Sequence, residues 1–255
     1  MAQLPSQPGI LAAVPAFGRS LSFSLVPEAD PRAALRRLQS AFSPEHAVVG
    51  LGEPLTSALQ HEIAGLCELL APAFMLSDAV DTFVYSGGRD LTGYEDGTEN
   101  PRDAAAVAAA LVAEGEGLRG GSFVAVQRWV HDLQLFGAWP QDRRDATIGR
   151  EREHNRELTG APPTAHSKRA AQASYDPPAY MLRRSMPWAS AQEQGLEFIA
   201  YGESLDRFER VLRRMLGQDD GVVDALFAFS RPVTGGYYFC PPFAGQRLDL
   251  RCLGL

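Results

Sequence analysis

The sequence predicts an α+β fold made of two successive strand-and-helix units, the first of them incomplete. Three observations point to it, the first two being short apolar segments that alternate at the two-residue strand period and helical segments between them whose apolar residues recur three and four apart. The third is the β, α, β, β, α, β order after Gly121, the split βαβ arrangement of a ferredoxin-like fold. With 255 residues and 45% apolar content, the chain can bury a sizeable core.

Taken in order, Ser20 to Val26 alternates, with Leu21, Phe23 and Leu25 on one strand face. Asp30-Pro31 then supplies a cap and a first-turn proline for a helix carrying Ala34, Leu35, Leu38 and Phe42. Ala47 to Leu51 is a short strand ending at Gly52, Pro54 to Phe74 reads as helical but weakened by Pro72, and Val80 to Tyr85 is another strand. Ser86-Gly87-Gly88 turns the chain towards a loop from Gly93 to Pro101. Alanine content makes Ala104 to Glu114 helical, and Gly115 to Gly121 breaks it. The units divide there, into residues 1–115 and 116–255. In the second, Ser122 to Val130 is a strand, Arg143 to Leu158 a charged helix, and Thr159 to Lys168 an irregular segment. Strands follow over Tyr180 to Met186 and Leu196 to Tyr201. Ser204 then caps a helix with Phe208, Val211, Leu212, Met215 and Leu216 on one face, and Ala225 to Phe229 is the last strand.

A net charge of −7, with arginines dispersed among acids, argues against nucleic acid or an anionic membrane as a partner. Nothing approaches about 18 uninterrupted apolar residues and the N-terminus lacks a basic then apolar leader pattern, so a cytoplasmic location is expected. Cys67, Cys240 and Cys252 are widely spaced and form no CxxC pair, which predicts neither a disulfide framework nor a zinc site.

The loop Gly93-Tyr94-Glu95-Asp96-Gly97-Thr98-Glu99-Asn100-Pro101 admits two readings. Asp96 or Asn100 caps the segment from Pro101, or the glycines let backbone approach a flat ligand at which Asp96 points. Among the histidines, His154 lies in a charged run, and His46 and His61 lack acidic or cysteine partners at ligand spacing. His131 ends a strand and reads as a structural histidine, with a metal ligand as the alternative. His166 follows Pro162-Pro163-Thr164, and that stiffened segment suits either a capping histidine or an imidazole held towards a large cofactor. Arg183 and Ser185 share one strand face with Arg184 on the other; an arginine there either meets an anion or makes a half-exposed salt bridge. The GxGxxG, phosphate-loop, HExxH and GxSxG motifs are absent. An acidic loop, a strand arginine and a stiffened histidine are the parts that a haem peroxidase uses.

The same loop, together with Val126-Gln127-Arg128-Trp129-Val130-His131-Asp132-Leu133, Pro162-Pro163-Thr164-Ala165-His166, Leu182-Arg183-Arg184-Ser185-Met186-Pro187 and Pro232-Val233-Thr234-Gly235-Gly236-Tyr237-Tyr238-Phe239-Cys240-Pro241-Pro242, resembles the dye-decolorizing peroxidase family in its compact bacterial B-type form. The resemblance runs from about Pro8 to the C-terminus. It implies two ferredoxin-like (split βαβ) units packed together, with haem b in the C-terminal one. The implied activity is that of a peroxidase using hydrogen peroxide to oxidise dyes, phenolics or other small electron donors through a ferryl intermediate. By motif match His166 is the axial iron ligand, Asp96 the distal acid/base residue and Arg183 the distal arginine. Gly97, Thr98 and Ser185 border the haem, and Asp224 is the carboxylate behind the proximal imidazole. Hydrogen peroxide, small-molecule reductants and further copies of the chain in a homo-oligomer are the implied partners.

One departure from the family stands out. Between Leu51-Gly52-Glu53-Pro54-Leu55 and Leu69-Leu70-Ala71-Pro72-Ala73-Phe74 several tens of its usual residues are missing, so the N-terminal unit is expected to lack one of four strands. Trp129, Trp188 and Tyr238 are either electron relays or core aromatics. Two other readings compete: a non-catalytic haem carrier or haem-handling protein, which has no need of both Asp96 and Arg183, and an interaction protein without haem.

Overall fold

The computed structural model describes residues 4–41, 48–49, 51–52 and 67–255. In chain order, the first half supplies α1 (Pro8–Leu11), β1 (Phe17–Leu25), α2 (Arg32–Ala41), β2 (Leu51–Gly52), β3 (Phe74–Phe83) and α3 (Asp103–Ala110). The second half supplies β4 (Ser122–His131), α4 (Leu133–Ala138), α5 (Gln141–Ile148), α6 (His166–Arg169), β5 (Leu182–Arg183), β6 (Met186–Ala189), β7 (Gln194–Gly202), α7 (Asp206–Met215) and β8 (Ser230–Cys240).

The fold is α+β and ferredoxin-like. In the second half the strands lie in the order β6-β7-β4-β8, with every neighbouring pair antiparallel, so the last strand returns beside the first. β3 joins this sheet through Thr82 opposite Trp188 and carries β1 beyond it, while β2 pairs with β8 at the other edge. With β5 on β7, one eight-stranded sheet runs through the molecule.

Period-two alternation divides its side chains between two cores. On one face Val124 and Val126 of β4, Leu182 and Tyr201 pack with Ile10 of α1 and Ala110 of α3. On the other face Ala125 and Trp129 of β4 and Ala200 of β7 meet Phe208, Val211 and Met215 of α7. These three recur at helical spacing, so a strand face and a helix face oppose each other across an apolar layer. The candidate site residues lie against this layer.

Several sequence expectations need correction. The charged helix expected over Arg143 to Leu158 stops at Ile148, because Gly149 adopts the left-handed conformation (φ 89°) and its N–H caps Asp145. In place of the strand expected over Ala225 to Phe229, Ala225–Ala228 form a 3-10 turn with Phe229 just beyond it. The last strand is β8, whose Pro232 sits opposite Trp129 at a register shift that tolerates the missing N–H. The strand expected over Tyr180 to Met186 breaks after Arg183. Helix α7 has Leu205 rather than Ser204 at its N-cap position with no side-chain capping bond, and Leu216 is exposed. Helix α3 ends at Ala110, earlier than Glu114. β3 starts at Phe74, inside the segment read as helical, and only 67–70 of that segment is helical among the described residues. Phe42, His46, His61 and most of the span from Pro54 to Phe74 lie outside the described residues. No helix among the described residues is long and apolar enough to cross a membrane.

Candidate active site

The end of the apolar layer opens into a cavity of about 950 Å³, including its mouth. Its walls come from two periodicities. Gln127, Trp129 and His131 of β4 and Leu196 and Phe198 of β7 form the strand side, and Phe208, Val211, Leu212 and Met215 of α7 form the helix side. Polar groups enter at His166, Asp96, Arg183 and Asp90.

His166 is the first residue of α6, directly after the proline-stiffened segment. Its Nδ1 lies 2.8 Å from Asp224 Oδ2, and Asp224 is almost wholly buried. The other oxygen of Asp224 accepts from Leu226 N at 2.8 Å and so caps the 3-10 turn, while Ala225 N donates to Thr164 O. Two loops far apart in sequence are thereby locked together behind the imidazole. Burial disfavours a charge on His166, but the Asp224 carboxylate outweighs it and holds the imidazole pKa above the ordinary histidine range. With Nδ1 committed, Nε2 is left for the cavity.

Asp96 sits in the glycine loop, where its Oδ1 accepts from Gly97 N at 2.7 Å. The same oxygen lies 3.8 Å from a terminal nitrogen of Arg183, the last residue of β5. Arg183 Nε is buried and has no hydrogen-bond partner among the described residues. Asn100 does not cap a helix. Its amide makes two 2.9 Å hydrogen bonds with the backbone of Arg183. Thr98 accepts from Asn155 Nδ2 and, with Gly97, lines a shallower recess shared with His166 and Arg183. Ser185 lies apart from the large cavity. It lines a smaller chamber of about 510 Å³ that shares only Asp96 and Arg183 with the larger one.

Two further clusters went unread in the sequence. His131 Nε2 donates to Asp90 Oδ1 at 3.2 Å, because an ionised Asp90 can only accept, and Nδ1 lies 2.7 Å from Ser230 Oγ. Tyr94 donates to Asp145, which also accepts from Gln141 Nε2 and Arg152 N, so this carboxylate ties the loop to α5. Their members are separated by tens of residues and no local spacing announces them. Trp129, Trp188 and Tyr238 are all buried, with Trp188 Nε1 donating to Trp129 O; of the three, Trp129 lines the cavity. His154 is exposed. The described cysteines are free, and no cluster of metal-ligating side chains occurs among the described residues.

Burial alone would raise the Asp90 pKa, but hydrogen bonds from His131 and from the N–H and hydroxyl of Thr92 outweigh it and hold the carboxyl below its ordinary range. A depressed folded-state pKa stabilises above the unfolded value of about 3.9, and that contribution is lost as pH falls through the lower folded value. Asp90→Asn should therefore lower the thermal midpoint at neutral pH, with the gap from the unmodified chain narrowing below about pH 4. Melting curves of both proteins across that range check it; a gap that stays constant would assign the stability to something other than the charge.

Residues 87–245 match the family model "Dyp-type peroxidase, C-terminal". The chain belongs to the Dyp-type peroxidase family. Within the family it is 34% identical over 179 residues to a dye-decolorizing peroxidase of Rhodococcus erythropolis, covering 68% of this chain and 52% of that protein. It is 31% identical over 227 residues to one of Mycolicibacterium paratuberculosis, covering 83% and 64%. It thus spans between half and two thirds of the length of these curated Dyp-type relatives. Among solved structures, a variant of DypB from Rhodococcus jostii RHA1 in complex with heme superposes with a TM-score of 0.82 at 25% identity, covering 93% of this chain and 96% of that one. A dye-decolorizing protein from V. cholerae gives 0.77 at 26% identity, covering 91% and 96%.

Proposed function

We propose that the chain binds haem b in the large cavity and acts as a peroxidase, taking hydrogen peroxide and oxidising small electron donors such as dyes or phenolics. The observation that carries the reading is that a carboxylate-backed histidine and an aspartate–arginine pair line one apolar cavity. The residues fit the group: the slot is walled by flat and branched apolar side chains, His166 keeps one ring nitrogen for a metal, and Arg183 has a buried donor without a partner among the described residues. The family resemblance supports it further.

His166 would hold the iron, and Asp224 would fix the ring and make it a stronger donor. Haem, when bound, supplies the redox chemistry. Asp96 would take a proton from one peroxide oxygen and return it to the other, a task that needs one positioned base. Arg183 would stabilise the negative charge that develops as the O–O bond breaks. Peroxide is small enough for the chamber that shares these two residues with the cavity, whose walls from α7 and β7 are apolar. In this reading residues 116–255 hold the haem and 1–115 contribute the Asp96 loop. A cytoplasmic location and a homo-oligomeric state belong to the same proposal.

A haem carrier has no use for the Asp96–Arg183 pair. The test is a visible spectrum of protein expressed with haem supply, before and after one equivalent of hydrogen peroxide. A Soret band that peroxide alters is expected; a band that peroxide leaves unchanged would favour the carrier, and its absence would exclude both.

A further inference from the structure

We propose that Asn100 is a positioning residue, whose side-chain amide stands in for a neighbouring strand along Arg183 and so sets the distance between Arg183 and Asp96. The inference rests on the peroxidase reading above.

The backbone of β5 has two edges. Arg184 N bonds to Ile199 O of β7, so along this two-residue strand the N–H and C=O of Arg183 face away from β7. A strand edge left this way needs partners. Asn100 supplies both: Nδ2 donates to Arg183 O and Oδ1 accepts from Arg183 N, each at 2.9 Å. A primary amide presents a donor and an acceptor much as a peptide group does. Aspartate has only acceptors, and alanine has neither.

The other end of the link is fixed as firmly. Asn100 N donates to Gly97 O at 3.0 Å, closing a turn that begins one residue after Asp96. Gly97 has φ +72°, a conformation that strains any other residue, and a Cβ there would lie 3.0 Å from Asn100 Nδ2 and press on the amide. Gly97 N in turn donates to the Asp96 carboxylate. A continuous chain of hydrogen bonds therefore runs from the Asp96 carboxylate, through Gly97 and Asn100, to the Arg183 backbone. Asn100 borders the small chamber and is absent from the lining of the large cavity, so it acts through Arg183 and not on the proposed cofactor.

The experiment compares haem-loaded protein carrying Asn100→Ala, Asn100→Asp, Arg183→Leu and the Asn100→Ala/Arg183→Leu pair. Two readouts are used: the rate at which hydrogen peroxide changes the Soret band, and the affinity for sodium fluoride from the same band. Fluoride binding needs no turnover and reports the arginine donor. Asn100→Ala should lower the peroxide rate by about ten- to a hundredfold and weaken fluoride binding in the same direction as Arg183→Leu, since misplacing a catalytic group by about 1 Å costs on this order. Asn100→Asp, which keeps the acceptor and the size, should fall between. In the Arg183→Leu background Asn100→Ala should add almost nothing, because its effect passes through the guanidinium. Equal losses in both backgrounds, or an unchanged fluoride affinity in Asn100→Ala, would overturn the inference while leaving the peroxidase reading intact. A parent protein without a Soret band, or with one that peroxide leaves unchanged, would overturn both.

Discussion

Replacing His166 with alanine should abolish stable haem binding. The imidazole is held by Asp224 at 2.8 Å, at the start of a short helix behind a proline-stiffened segment, so its free nitrogen is oriented before any ligand arrives. No other described histidine can replace it. His131 also lines the cavity, but its two ring nitrogens are engaged by Ser230 and Asp90, and His154 is exposed on a charged loop. Haem content and the Soret band of purified His166→Ala measure the outcome. A variant retaining the parent's band would move the iron ligand elsewhere, with His131 the first candidate. Asp224→Ala should be milder, since loss of an outer partner of a metal-bound histidine costs about 10- to 100-fold in affinity.

The second large effect is expected at Arg183. Its guanidinium lies 3.8 Å from Asp96, too far for a direct hydrogen bond, and its Nε is buried without a partner among the described residues. The donors are thus not consumed by neighbouring side chains among the described residues. Removing one such preorganised donor typically costs about 10² to 10³ in rate. The proton transfer assigned to Asp96 is different in kind, because a water molecule in the chamber can substitute for part of it. Arg183→Leu should therefore slow the reaction with peroxide at least as much as Asp96→Asn. Stopped-flow rates for both variants, each first shown to carry full haem, decide the order; if Asp96→Asn proves slower by more than tenfold, proton transfer outweighs charge stabilisation in this site.

Legibility in the sequence followed the range of the interactions involved. The alternation of Leu21 and Phe23, the strand face of β4 and the helical spacing of Phe208, Val211 and Met215 are local, and each appears in the structure on a buried face. Asp96, Arg183 and His166 could be singled out because each lies in a short stretch of distinctive composition, and all three do line one cavity. Long-range pairing was not legible. Pro232 and the adjacent glycines of β8 imitate a turn, and only the presence of β4 alongside makes the segment a strand. The charges after Gly149 keep a helix-like spacing that one left-handed residue ends. Asn100 looked like a helix cap because its true partner is 83 positions away. The Asp90–His131–Ser230 and Tyr94–Asp145 groups were hidden for the same reason.

The carboxylate of Asp224 also has a consequence for motion. One oxygen holds the imidazole of His166 and the other holds the amide of Leu226, while the neighbouring Ala225 amide closes onto Thr164, two residues before that histidine. An opening event that releases the turn after Asp224 must loosen the imidazole of His166, and one that frees the imidazole must loosen the turn. The two segments therefore belong to one cooperative unit of local unfolding, so opening of the turn would also free the imidazole that is proposed to hold the iron. In the proposed haem-bound state, retention of the cofactor would then depend on the lifetime of a 3-10 turn as well as on the strength of the metal–nitrogen bond.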